Sequence, residues 1–310
     1  MEMPTYELGG LRIASNFPLF GLPVLRDPPG APCEVVIRWT SIPEEIASAA
    51  AKFLGGHYHG IYNGKEVLLD SPSLGRFLVR EGKEIIMDLV SSADDHEVRA
   101  YLLGAAFGAL CHQRGIVPLH ASTIDIKDGC VAFIGASGAG KSTLVAALAQ
   151  RGHEITSDDE CFLQLGTNEG VMAWPGIGQI KLWEDARAAL GFEGPGVQQI
   201  MQGYSKFIIP VRPPRKPRQS RPLRRVYQLH RIPNGVADVT RLRGVEAVEA
   251  LMQNVYPPGL AEHLGYQSNV LMVCAAAVRN APVFQLSRPL DFAALAQGVA
   301  LLENHLQATP

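Results

Sequence analysis

The segment Cys130-Val131-Ala132-Phe133-Ile134 runs directly into Gly135-Ala136-Ser137-Gly138-Ala139-Gly140-Lys141-Ser142-Thr143, which opens the helical run Leu144-Val145-Ala146-Ala147-Leu148-Ala149. An apolar strand, a glycine-rich loop ending in Lys-Ser-Thr and a helix make a phosphate-binding P-loop unit, which commits the surrounding chain to an α/β architecture. Glycines let backbone N–H groups turn inward toward phosphate oxygens, and the helix N-terminus adds positive potential. Gly135, Ser137, Gly138, Ala139, Gly140 and Thr143 are therefore expected to form the cradle. Lys141 should reach the outer phosphates and Ser142 should offer its hydroxyl to Mg²⁺. The expected ligands are ATP and Mg²⁺.

Around this unit, 310 residues at 47% hydrophobic and 19% charged supply material for one large core or two domains. A net charge of −2 gives no overall attraction to nucleic acid or to anionic membrane. Cys33, Cys111, Cys130, Cys161 and Cys274 are scattered without metal-ligand spacing, which suits reduced, buried thiols and a cytoplasmic location. The start Met1-Glu2-Met3-Pro4-Thr5-Tyr6-Glu7 has no basic region followed by an apolar run, so no secretory signal is expected. The apolar stretches Tyr101–Cys111 and Val270–Val278 are too short to span a bilayer.

Residues 1–95 read as a β-rich domain, with strands at Leu11–Ala14, Cys33–Arg38, His57–Tyr62, Glu66–Leu69, Arg76–Arg80 and Glu84–Asp88. A helix at Pro43–Phe53 interrupts them, and Asn63-Gly64 reads as a hairpin turn. Residues 96–310 are assigned to the P-loop domain, beginning with a helix over Asp95–Arg114 whose face carries Ala100, Leu103, Phe107 and Leu110. Later strands are expected at Arg225–Leu229 and Pro282–Leu286, and helices at Val245–Val255 and Phe292–Leu306.

Two further elements surround the phosphate loop. Asp158 and Asp159 follow Ser142 by 16 and 17 residues, room for one helix, a reversal and a strand. Their carboxylates then arrive at a strand end, where open α/β sheets hold ligands. One can serve Mg²⁺ while the other accepts the proton of an attacking hydroxyl. Both reach the site only if the strand ends or bends there. His120, 15 residues before Gly135, stands at the far end of the strand–turn–strand leading into the loop.

Pro118-Leu119-His120-Ala121-Ser122, the P-loop and Ser157-Asp158-Asp159 together resemble the catalytic domain of bacterial HPr kinase/phosphorylase. The resemblance implies an HPr-kinase/PEP-carboxykinase-like P-loop domain, with a smaller N-terminal β-rich domain beside it. It implies that His120 assists catalysis, that Lys141 and Ser142 serve the nucleotide and metal, that Asp158 is the general base, and that Asp159 supports the metal or the base. It also implies assembly into a homo-oligomer. The family's Glu-x-Arg-Gly-x-Gly-Ile segment is represented here by Ala173-Trp174-Pro175-Gly176-Ile177-Gly178-Gln179, without the glutamate and arginine. The metal shell is then filled differently and the reaction runs forward only. Gln113-Arg114-Gly115 and the Pro175–Trp183 segment resemble more closely the HPr-kinase-like proteins of lasso-peptide and other peptide-modification systems. These phosphorylate a serine of a small precursor peptide.

The missing arginine directs attention to other cations. Lys181 is expected either near the phosphates or as a solvated lysine beside a core tryptophan, and Lys206 as a cation over the phosphates. The run Arg212–Arg225 holds seven basic residues and four prolines, an extended loop in which Arg215 and Arg218 could meet phosphate or an acidic peptide. No aromatic residues are interleaved with these charges, so nucleic acid is not the expected partner. A serine kinase acting on a peptide or small protein is the leading reading. A small-molecule kinase and a catalytically silent ATP-binding regulator remain open beside it. Signatures of ABC ATPases and GTPases are absent from the sequence.

Overall fold

The computed structural model describes residues 3–26, 31–50, 54–55, 58–59, 61–62, 65–167, 170–200, 205–209 and 219–308. The chain is mixed α/β and forms two compact units, Met1–Pro118 with Val255–Val270, and Leu119–Asn254 with Leu271–Pro310.

The first unit is built on a sheet whose strands run in the order Thr5–Leu8, Leu11–Ser15, Val35–Trp39, Glu84–Leu89, Gly75–Arg80, Glu66–Ser71, Ile61–Tyr62. Alternation puts Phe77, Val79, Ile85 and Met87 on one buried face, while Leu78 and Ile86 pack with Ile42 and Leu68 on the other, so these strands are covered on both sides. The expected Asn63-Gly64 turn lies outside the described residues, as does part of His57–Tyr62. The helix at Asp95–Gln113 is capped by Asp94, whose carboxylate accepts from the His96 and Glu97 amides, and it contains one π turn at Leu102–Ala106. Gln113 and Arg114 clamp the turn at Gly82. Gln113 Oε1 accepts from the Gly82 amide at 2.6 Å, and Arg114 Nη1 donates to the Gly82 carbonyl at 2.7 Å.

The division therefore falls after Pro118, not near residue 95. The physical reason is the helix's apolar face. Val98, Leu102, Phe107 and Leu110 are buried, and Gly108 leaves room for Pro257, whose Cδ would lie 2.4 Å from any Cβ there. Periodicity marks a helix but does not say which sheet it covers.

The second unit centres on three parallel strands: Gly129–Ile134, Arg221–Ile232 and Val283–Pro289. Ala121–Ile126 lies antiparallel to the first of these and carries Ile155–Ser157 on its other side. Cys161–Leu165 and Val171–Pro175 form a hairpin joined to the start of Arg221–Ile232. Phe133, Tyr227 and Phe284 are register neighbours across the parallel strands, with ring centroids 5.8 and 5.4 Å apart. Helices Lys141–Gln150 and Phe292–Ala308 close this core with Leu144, Val145, Leu148, Leu295, Val299 and Leu302. The first parallel strand thus delivers its carboxyl end to the glycine loop over a rigid apolar base. Among the described residues no helix is long and apolar enough to cross a membrane.

The basic run is not one loop. From Arg221 onward it is strand, with Arg221 paired to Asp125 at 2.6 Å and Arg225 donating to the Leu306 carbonyl at 2.9 Å. Arg215 and Arg218 lie outside the described residues.

Candidate functional site

Strand Gly129–Ile134 is buried along its whole length, and the chain leaves it into an exposed arc at Ala136, Ser137 and Gly138. Gly140 caps helix Lys141–Gln150 at φ 84°, a left-handed conformation that favours glycine. A Cβ there would lie 2.5 Å from Arg288 Nη2, so any side chain at this position would displace the Arg288 guanidinium. Lys141 is buried and folds back over the loop, its Nζ donating to the Gly135 carbonyl at 2.7 Å and the Ala136 carbonyl at 3.2 Å. Burial lowers its pKa to about 8 against the pull of Asp159 and Asp158, which leaves it a cation at pH 7. Ser137, Gly138, Gly140, Lys141, Ser142 and Thr143 line one cavity of about 340 Å³, within the usual range for a ligand pocket.

The two aspartates part company at the end of strand Ile155–Ser157. Asp158 is 3% exposed. Its Oδ1 accepts from Ser122 Oγ at 2.5 Å and Ser142 Oγ at 3.0 Å, and its Oδ2 from the Lys181 amide at 3.1 Å. Burial and the neighbouring Asp159 charge push its carboxyl above the ordinary range, opposed by those three hydrogen bonds. Asp159 takes a left-handed φ of 71°, uncommon outside glycine, and that bend puts its side chain on the cavity wall. Its Oδ2 meets Lys181 Nζ at 2.8 Å. Burial would raise its pKa, but Lys181, and after it Lys206, overrides that and holds it below the ordinary value. Where the resemblance implies Asp158 as base and Asp159 in support of the metal or the base, the geometry sets the two carboxylates in different places. Asp158 sits behind the Ser142 hydroxyl, and Asp159 faces the cavity.

His120 lies on the same wall. The Asp159 carbonyl sits 2.9 Å from His120 Nδ1 and accepts the Ala121 amide at 3.2 Å, so the strained residue is held by its backbone. A carbonyl only accepts, which places a proton on Nδ1. Burial and then the Lys141 charge lower the imidazole pKa, leaving the ring neutral at pH 7.

Lys181 and Lys206 come from a small antiparallel sheet in which Trp183 is the register partner of Lys206. Period two puts Lys181 and Trp183 on one face and buries Ile180 and Leu182 on the other. Lys206 Nζ stands 5.6 Å from the Trp183 ring centroid, and both lysines line the cavity. Both alternatives for Lys181 contain something of the outcome: it is near the loop, beside a tryptophan that is 47% exposed instead of core. Among the described residues no group of three or more His, Cys, Asp or Glu side chains is placed to hold a metal ion by itself.

Sequence reasoning missed two residues. Asn254 Oδ1 accepts the buried Gly135 amide at 2.8 Å, its Nδ2 donates to the Ala250 carbonyl at 2.8 Å, and its own carbonyl accepts the His120 amide at 2.8 Å. It ties the start of the loop to the histidine. Arg288, at the end of the third parallel strand, is 4% exposed and donates through Nη2 to the Gly140 carbonyl at 3.0 Å and the Ala139 carbonyl at 3.3 Å. Neither lies in a local pattern that marks it. The one available cue for Arg288 was an arginine at the carboxyl end of an apolar strand.

No family model and no curated protein matches the chain. Among solved structures it is similar to the HPr(Ser) kinase/phosphatase of Coxiella burnetii, at 13% identity over 62% of this chain and 99% of that one, with a TM-score of 0.30. A likeness of that depth assigns no role to any residue here, and roles rest on the geometry of the site.

Proposed function

We propose that this chain is a phosphotransferase that moves the γ-phosphate of ATP to a hydroxyl acceptor, a serine of a peptide or small protein. The observation that carries this reading is the split aspartate pair around one phosphate cradle. One carboxylate holds the loop serine from behind, and the other faces the cavity beside His120. A carboxylate on the open wall serves an incoming nucleophile.

The fit to Mg²⁺ rests on Ser142 Oγ and Asp158 Oδ1, two hard oxygen donors 3.0 Å apart at the foot of the loop. Mg²⁺ takes such donors together with phosphate oxygens and water. Ser142 and Asp158 would hold the ion, which when bound neutralises charge on the outer phosphates. Lys141, Lys181 and Lys206 surround the position of the γ-phosphate with positive charge. Asp159, kept ionised by Lys181, accepts the hydroxyl proton as the acceptor oxygen attacks phosphorus and the β–γ bridging bond breaks. His120 fixes the bent Asp159 backbone through its Nδ1–H. Phosphoryl transfer asks for positioning and electrostatics more than covalent chemistry, and this site offers both. The serine of a peptide as acceptor rests on the resemblance of the His120 block, the loop and the aspartate pair to HPr-type serine kinases.

Incubation with [γ-³²P]ATP, Mg²⁺ and serine-containing peptides, with products mapped by mass spectrometry, tests the reading. Asp159→Asn should abolish transfer with ATP affinity retained, whereas Asp158→Asn should lose the Mg²⁺-dependent part of ATP affinity. Transfer at the parental rate by Asp159→Asn, or hydrolysis that never labels a hydroxyl acceptor, would sink it.

A further inference from the structure

The cavity over the loop is lined by two unlike sets of side chains. One is His120, Asp159, Lys181 and Lys206, in which Asp159 meets both His120 and Lys181. The other, at the Gly140 end of the loop, is Arg288 and Leu290, with Phe292 and Leu295 close behind them in the chain. Arg288 and Leu290 press directly on the loop, since a Cβ at Gly140 would meet Arg288 Nη2 at 2.5 Å and Leu290 Cδ2 at 3.1 Å. Phe292 begins helix Phe292–Ala308, lines the cavity and is 41% exposed.

Arg288 is the second, independent sign of a ligand at this end. It is 96% buried, its Nε has no hydrogen-bond partner, and among the described residues no carboxylate pairs with it. An unpaired buried cation is costly unless an anion arrives to compensate it.

The direction of a bound triphosphate distinguishes the two sets. In a P-loop the inner phosphates lie on the loop amides and helix N-terminus, and the lysine reaches the outer ones. With the outer phosphates toward Asp159 as proposed, the inner end would leave by the helix N-terminus at Gly140, against which Arg288 and Leu290 stand. We infer that Arg288, Leu290, Phe292 and Leu295 form a nucleoside subsite, in which the base lies against the Phe292 ring among the leucine side chains and Arg288 is neutralised by the innermost phosphate. This rests on the reading that the loop holds a nucleoside triphosphate. Aromatic rings take the face of a base without demanding a particular edge, so the subsite supplies affinity more than base choice.

Calorimetric titration of the full chain with Mg-ATP and with Mg-tripolyphosphate separates this inference from the reading beneath it. The parent should bind ATP at least tenfold more tightly than tripolyphosphate. Phe292→Ala, at a half-exposed ring, should weaken ATP about tenfold and leave tripolyphosphate unchanged. Phe292→Tyr should restore ATP affinity. Equal binding of the two ligands by the parent, or equal weakening of both by Phe292→Ala, overturns the nucleoside subsite while leaving the phosphate cradle intact. Binding of neither ligand by the parent overturns both.

Discussion

Replacing Asn254 by alanine tests how the loop is anchored. The Asn254 side chain makes two buried hydrogen bonds, from the Gly135 amide at 2.8 Å and to the Ala250 carbonyl at 2.8 Å. Truncation leaves the Gly135 N–H buried without that acceptor, at a cost of about 1–3 kcal/mol, and removes a second bond worth about 1 kcal/mol. The expected loss is about 2–4 kcal/mol of stability in the second unit. Trp174 and Trp183 belong to that unit and Trp39 to the first, so a Trp39→Phe background makes fluorescence report the second unit in urea. A loop relieved of about 1.4 kcal/mol of anchoring spends more time outside its binding form, which should weaken ATP by about tenfold. A variant within about 0.5 kcal/mol of the parent, with unchanged ATP affinity, would refute the anchoring argument, because that is the range of substitutions that touch nothing of consequence.

Lys181→Gln removes the cation that holds Asp159 below its ordinary pKa, so the acid limb of the kcat/KM profile should move to higher pH; an unmoved limb would show that Asp159 does not set it. His112 is 1% exposed, and burial lowers its pKa from 6.5 to about 4. The unfolded chain binds that proton first, so stability of the first unit is full above pH 6.5 and falls as pH drops toward 4, by about 3 kcal/mol. Urea midpoints across that range should show the slope in the parent and lose it in His112→Phe.

Much of this site was legible because P-loop chemistry is local. The strand–loop–helix order and the arrival of two aspartates one strand later follow from short spacings and from one strand's geometry. His120 was found the same way, since the strand Ala121–Ile126 that follows it pairs with the loop's own strand. What failed was orientation at a strand end. Alternation said that Asp158 and Asp159 could not both face the ligand without a bend. Only the left-handed φ of Asp159 showed which one turns outward.

The sequence by itself therefore determined that a strand, a glycine-rich loop and a helix follow one another, where the loop's lysine and serine stand, and which short segments flank them. Tertiary structure decided which aspartate sits behind Ser142, that Asn254 holds Gly135 from 119 residues away, and that Arg288 reaches Gly140 across 148. It also decided that the helix at Asp95–Gln113 packs on strands Gly75–Arg80 and Glu84–Leu89 of the first sheet. The reason is physical. A loop's own amides and a neighbouring strand are fixed by backbone geometry over a few residues. An anchor or a buried cation is chosen by whichever distant segment the packed core brings to the carboxyl ends of the parallel strands.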